Sequence, residues 1–183
     1  MRTLVAGVGY TNLRDMSVGP LLVERLAAEP WPAGVDVLDL GCGAVHAAHY
    51  LQDAQAAAPY ERGVVFGAVR RGRAPGAVTR YRWDGRLPTP EEVQAHVAEA
   101  VTGVISLEGL LIVCRQLGAL PEEIVVVEVE PADDSWGPRC SPAVAAALPA
   151  AAAVIRQAAL ESPGAQGNGP PRPLGGRRHR PVR

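Results

Sequence analysis

The sequence predicts an α/β fold, a three-layer arrangement with a mostly parallel twisted sheet flanked by helices on both faces. Three observations carry this. Strand-length apolar runs alternate with helix-period segments along residues 1–160. Two of the strands run into glycine turns, Gly7-Val8-Gly9 and Gly41-Cys42-Gly43. The segment GVVFGA, Gly63 to Ala68, is short and apolar throughout, as a strand covered on both faces should be.

Taken in order, Thr3 to Ala6 reads as a buried first strand. Its loop passes Asn12 and Asp15 and enters a helix near Ser17, a suitable N-cap. Val18, Leu21, Leu22 and Leu26 then fall on one helical face, and Pro30 and Pro32 end it. Val35 to Leu40 is a second strand, followed by a helix over Ala44 to Asp53. Pro75-Gly76 marks a turn before a Val/Thr/Tyr-rich strand, Ala77 to Trp83. Pro90-Glu91-Glu92 opens a helix with proline and acids where the first turn favours them. The pattern of Leu107 to Leu117 is helical and stops at Gly118. Glu123 to Glu130 is the plainest strand, and after a loop from Pro131 to Pro142 an alanine-rich helix runs to about Leu160. One α/β domain over residues 1–160 follows. Residues 161–183, rich in Gly, Pro and Arg, read as a disordered tail.

Composition excludes several classes. The chain of 183 residues has no lysine, and residues 1–160 carry 13 Arg against 18 acids. An acidic body argues against nucleic acid as the partner, because phosphate binding requires a basic face. Three cysteines without paired spacing (Cys42, Cys114, Cys140) fit a reducing compartment better than a disulfide framework. No signal-peptide pattern opens the chain and no apolar run reaches the ~18 residues of a membrane span, so a cytoplasmic protein without membrane contact is expected.

Few motifs carry chemistry. Asp39-Leu40-Gly41-Cys42-Gly43 is similar to the first motif of S-adenosylmethionine-dependent methyltransferases. Val45, however, occupies the third glycine position, and the next strand ends without the acid that would hold ribose hydroxyls. Gly7-Val8-Gly9 fails as a dinucleotide fingerprint, since Asn12 stands where the third glycine belongs. His46, His49 and Asp53 share one helix face near Cys42, either as metal ligands or as an ordinary solvated face. Asp15 and Asp39 both follow carboxyl ends of adjacent strands, where ligands collect in open α/β sheets. As a pair they would serve as acid and base or bind a metal; singly, Asp15 would cap a helix and Asp39 would bind loop amides.

Four ordered blocks, LVAGVGYTNLRDMSVGPLLVERL, VDVLDLGCGAVHAAHYL, VVFGAVRRGRAPGAV and IVVVEVEPADDSWGPRCSPAVAAALP, resemble those of the nickel–iron hydrogenase maturation endopeptidases over roughly residues 1–158. LVAGVGYTNLRDMSVGPLLVERL resembles the family's opening strand, G-V-G-N turn and acid-bearing loop. VDVLDLGCGAVHAAHYL resembles its second strand with D-x-G-[TI]-x-G, and VVFGAVRRGRAPGAV its third with V-D-A and P-G-T. IVVVEVEPADDSWGPRCSPAVAAALP is similar to its last strand, E-P-A-D loop and L-S-P helix start. The resemblance implies a single cut near the C-terminus of the hydrogenase large-subunit precursor after nickel insertion. Nickel of the substrate is then the recognition device, with no tightly bound cofactor in the protease itself. It also implies that Asp15 and Asp39 are the working carboxylates, and that the substrate loops contain Gly7, Gly9, Asn12, Gly41, Cys42, Gly43 and Asp133.

The family's three nickel-facing ligands do not carry over. The acid after Asp15 is Met16, the V-D-A aspartate is Gly67, and the histidine position is Gly103 or a neighbour in VTGVIS. The G-V-G-N asparagine is Tyr10. A thioether and two glycines do not replace two acids and an imidazole. The expectation is therefore a maturation-protease-like protein in one of two forms. One is an active processing peptidase; the other is a non-catalytic scaffold that binds the large-subunit precursor or a hydrogenase accessory protein. A methyltransferase is the remaining alternative.

Overall fold

The structure, a computed structural model, describes residues 1–161. The expected tail beyond Glu161 lies outside the described residues. Five strands form one sheet in the order β2-β1-β3-β5-β4. They are β1 (Thr3–Val8), β2 (Val35–Asp39), β3 (Arg62–Ala68), β4 (Val78–Trp83) and β5 (Glu123–Val129). β1, β2, β3 and β5 run parallel, and β4 closes one edge antiparallel to β5. The all-apolar GVVFGA segment lies in β3, the central strand, as its composition requires.

Side chains alternate between the two faces along each strand. Leu4, Ala6, Val65, Ile124 and Val126 face the layer of α2 (Ala44–Ala57), α3 (Pro90–Val101) and α4 (Leu107–Gln116). Val5, Val64, Phe66, Val125, Val127 and Val129 face α1 (Val18–Ala27) and α5 (Pro142–Leu160). α2 runs one turn beyond the Asp53 boundary that the sequence suggests, because Leu51 and Ala54 continue the face packed on α4.

One expectation needs correction. α5 is 19 residues long with a mean hydropathy of 1.6, apolar enough by length and composition to span a membrane. The expectation that nothing in the chain reaches the length of a membrane span does not hold for this helix. Val144, Ala151, Ile155, Ala158 and Ala159 are buried against the sheet, so α5 is a helix of the core. Its C-terminus is held by Arg62, which donates to the carbonyls of Ala158 and Glu161 and pairs with Glu123 at 2.8 Å.

Candidate functional site

The parallel strands β1, β2, β3 and β5 all end at one edge, and the predicted site residues lie there or in the loops that follow. β1 reaches its turn under α1 with no room for side chains: a Cβ on Gly7 would collide with Val23 and the Gly19 carbonyl, and one on Gly9 with the Met16 carbonyl. The second glycine turn packs backbone to backbone on the first, since a Cβ on Gly41 would stand 2.6 Å from the Gly9 oxygen. Leu40 N–H donates to the Gly7 carbonyl at 2.8 Å, continuing the β1–β2 ladder into the turns. Gly7, Gly9 and Gly41 are therefore packing glycines, whereas Gly43, at φ 95°, sets the left-handed corner before α2.

Asp15 and Asp39 serve two different loops. Asp15 is fully buried in a short 3-10 turn, Arg14–Ser17, that the sequence pattern does not reveal. Its Oδ2 accepts from the amides of Ala132 (2.8 Å) and Asp133 (2.9 Å) and from the Ser141 hydroxyl (2.8 Å). Its Oδ1 accepts from the Ser141 amide at 2.7 Å. Burial pushes this carboxyl up, but the amide and hydroxyl donors outweigh burial and hold it below the ordinary aspartate value. Asp15 thus fastens the loop after β5 to the loop after β1 instead of capping α1. Ser17 stands at the expected N-cap position of α1, but its hydroxyl accepts from the Leu13 amide at 3.0 Å and makes no bond to the helix amides.

Asp39 is exposed at the end of β2, with Oδ1 accepting from the Gly41 amide at 2.8 Å. That is the loop-amide role its position allowed. No hydrogen bond joins it to Asp15 among the described residues. Cys42 beside it is exposed, and partial burial with the charge of Asp39 pushes its thiol up, so it is a poorer nucleophile than an ordinary cysteine. Asp133 accepts from the Ser135 amide at 2.9 Å and pairs with Arg14 at 3.3 Å. The Ser135 bonds are the main reason its carboxyl lies below the usual value. Asn12 offers its backbone carbonyl to the Gly137 amide at 2.9 Å, so Asn12, Asp15 and Asp133 all belong to one double loop.

The three positions that the resemblance matches to nickel ligands are occupied in three different ways. Met16 packs its side chain on the apolar cluster between the sheet, α1 and α5. At Gly67 a Cβ would lie 2.6 Å from the Val8 carbonyl oxygen and 3.4 Å from Leu107 Cδ1, so backbone fills the space an aspartate would need. Gly103 is exposed at φ 87° with open space around it. Among the described residues, no group of three or more His, Cys, Asp or Glu side chains is placed to hold a metal ion. His46, His49 and Asp53 lie exposed along α2.

Sequence reasoning missed a further carboxylate at this edge. Glu128 pairs in register with Gly67 across β3 and β5, and faces α4 from a position where the alternation calls for an apolar residue. It is fully buried and bonded to Arg71 Nη2 (2.9 Å), Arg73 Nη1 (2.8 Å) and Tyr81 Oη (2.9 Å). Burial raises its carboxyl, but the arginine and tyrosine contacts prevail and keep it below the ordinary glutamate value. Glu130 accepts from the Arg71 and Gly72 amides in addition, so the β3–β4 loop is clamped onto β5. A glutamate inside an apolar strand, with Arg70, Arg71 and Arg73 in one loop, was the available signal. Tyr10, in place of the motif asparagine, accepts the Ile105 amide at 2.6 Å and ties the first turn to the α3–α4 loop.

Comparison with solved structures identifies the class. A hydrogenase 2 maturation peptidase from a Thaumarchaeota archaeon shares 28% identity at a TM-score of 0.61, covering 86% of this chain and 97% of its own. An Escherichia coli endopeptidase shares 27% identity at a TM-score of 0.63, over 86% of this chain and 91% of its own. The hydrogenase maturating endopeptidase HybD of E. coli has the same fold at 24% identity and a TM-score of 0.63, covering 86% and 94%. No curated protein sequence matches the chain. Residues 20–158 match the hydrogenase maturation protease family (HycI), and the chain belongs to that family. The membership takes the place of the methyltransferase alternative.

Proposed function

We propose that this chain acts in the maturation of a nickel–iron hydrogenase large subunit by binding the precursor without making the family's nickel-dependent cut. The observation that carries this is the state of the sheet's carboxyl edge. Of the three positions where the resemblance puts ligands to the substrate's nickel, one holds a half-buried methionine packed against the core, one is filled by backbone, and one is an exposed glycine. The buried carboxylates nearby, Asp15 and Glu128, spend their lone pairs on amides, arginines and hydroxyls. A buried carboxylate satisfied by that many donors has little left for a metal or for water activation. Binding, by contrast, needs only a shaped and rigid surface, which the coupled loops provide. The site of action in this reading is the cytoplasm, with the precursor or a hydrogenase accessory protein as partner.

An active peptidase would have to work through Asp39, the exposed carboxylate of the two candidates. Incubating the purified chain with nickel-loaded precursor separates the two forms. The expected result is co-elution of the two proteins on gel filtration with the precursor's intact mass unchanged. Loss of a C-terminal peptide from the precursor, abolished by Asp39→Ala, would overturn the reading.

A further inference from the structure

We propose that Trp136 is a docking anchor, carried on a pre-formed double loop, that inserts into an apolar socket of the large-subunit precursor. The inference rests on the reading above that the chain binds that precursor. Trp136 is 77% exposed, more than any other large apolar side chain among the described residues. Its loop is nonetheless fixed. Gly137, the next residue, donates to the Asn12 carbonyl at 2.9 Å and accepts from the Arg14 amide at 3.0 Å. The Asp15 amide donates to the Asp133 carbonyl at 3.1 Å, and the Asp15 carboxylate holds both ends of the loop at Ala132, Asp133 and Ser141. Cys140 Sγ contacts the Arg14 carbonyl at 3.5 Å.

This arrangement gathers two features that work against stability at one place. Asn12 and Arg14 have φ of 60° and 41°, conformations that side-chain-bearing residues rarely adopt. An indole is left in water. Such local violations persist where the surroundings over-determine them, and they concentrate at functional surfaces. The fold of the isolated chain gains nothing from the Trp136 ring in solvent. Binding does gain from it: tryptophan is enriched among interface residues that dominate affinity, and a rigid loop avoids the entropy of ordering on contact.

The rim fits the same use. Arg14–Asp133 and Arg70–Asp134 (2.9 Å) are partly exposed pairs whose aspartates lie three and two residues before Trp136 in its loop, and Arg139 is an exposed cation three residues on. The complementary surface is thus an apolar pocket edged by a carboxylate. A convex single ring with a mixed-charge rim is the knob of a heterologous contact, which calls for a socket on a different protein surface.

The test uses the full chain and nickel-loaded precursor. Trp136→Ala should weaken the Kd about thirtyfold, the effect of losing one dominant aromatic anchor. Its thermal midpoint should match wild type, because the ring touches solvent. Arg139→Glu should weaken binding by a few-fold, with a reduced salt dependence. In the wild-type complex, acrylamide quenching of the exposed tryptophan should fall. Equal affinities for wild type and Trp136→Ala would overturn this inference and leave the maturation role standing. Concentration-dependent dimerisation abolished by Trp136→Ala, with precursor affinity unchanged, would also overturn it by assigning the ring to a second copy. Failure of the wild type itself to bind the precursor would sink both proposals.

Discussion

Gly67→Asp, which writes an acid back into the third strand, is expected to destabilise the protein by about 4 kcal/mol or more and to bring no nickel affinity with it. Two separate effects produce this loss. The first is steric: the new Cβ would stand 2.6 Å from the Val8 carbonyl oxygen, which belongs to the adjoining strand and cannot swing aside. The second is electrostatic. The carboxylate would enter a fully buried row next to Glu128, whose charge is already balanced by Arg71 and Arg73. A second negative charge there has no cation left to meet it, and an unpaired buried charge is among the most damaging changes a core can suffer. Gly67→Ala divides the two effects and should cost about 1–3 kcal/mol, as over-packing does. Urea unfolding of the two variants checks both values. An Asp variant as stable as wild type would show that the edge retains room for a ligand.

The second large effect is expected at Asp15. Asp15→Ala removes the acceptor for three amides and a hydroxyl at a fully buried point, and it should cost about 3–5 kcal/mol. The double loop that carries Trp136 should loosen with it, visible as faster amide exchange at Ala132, Asp133 and Ser141. The pH dependence follows from the sign of the shift. The Asp15 carboxyl lies below its ordinary value in the fold, so the unfolded chain takes up its proton first as pH falls. Its contribution is complete above about pH 4–5, where the unfolded aspartate is ionised, and drains away as pH falls toward the folded value. Asp15→Asn keeps the shape but turns an NH2 group toward donors. It should be less stable than wild type at neutral pH and should approach wild type in acid. Urea midpoints between pH 3 and pH 7 check this. A gap between the two proteins that stays constant with pH would remove the buried carboxylate from the account.

Local pattern carried much of this fold, and distance in sequence marks where it stopped. An apolar stretch such as GVVFGA dictates a central strand because both its faces must be covered. The Val/Thr/Tyr pattern of β4 dictates a strand but not its direction, so its antiparallel place on the edge was not legible. The 3-10 turn at Arg14 was hidden too. Its positive φ is imposed by a bridge to Gly137, far along the chain, and not by the residues around it.

The site divides in the same way. The glycine turns and the exposed Asp39 could be placed from β-strand ends alone. The donors to Asp15 lie more than 110 residues downstream, beyond the reach of any spacing rule. Likewise Gly67 and Glu128 become neighbours only through the register of β3 against β5. The family resemblance makes Gly67 the expected place of an absent ligand. The structure adds that the vacated space is taken by the Val8 carbonyl, with a neutralised carboxylate one strand away.

The claim that this edge no longer holds a divalent ion is tested most directly by titrating the chain alone with Ni2+ while following backbone amide signals. The account predicts no saturable site, with the amides of Gly9, Tyr10, Gly41 and Ala132 unmoved. A one-to-one site in the micromolar range that shifts those amides and disappears in Asp39→Ala would contradict it.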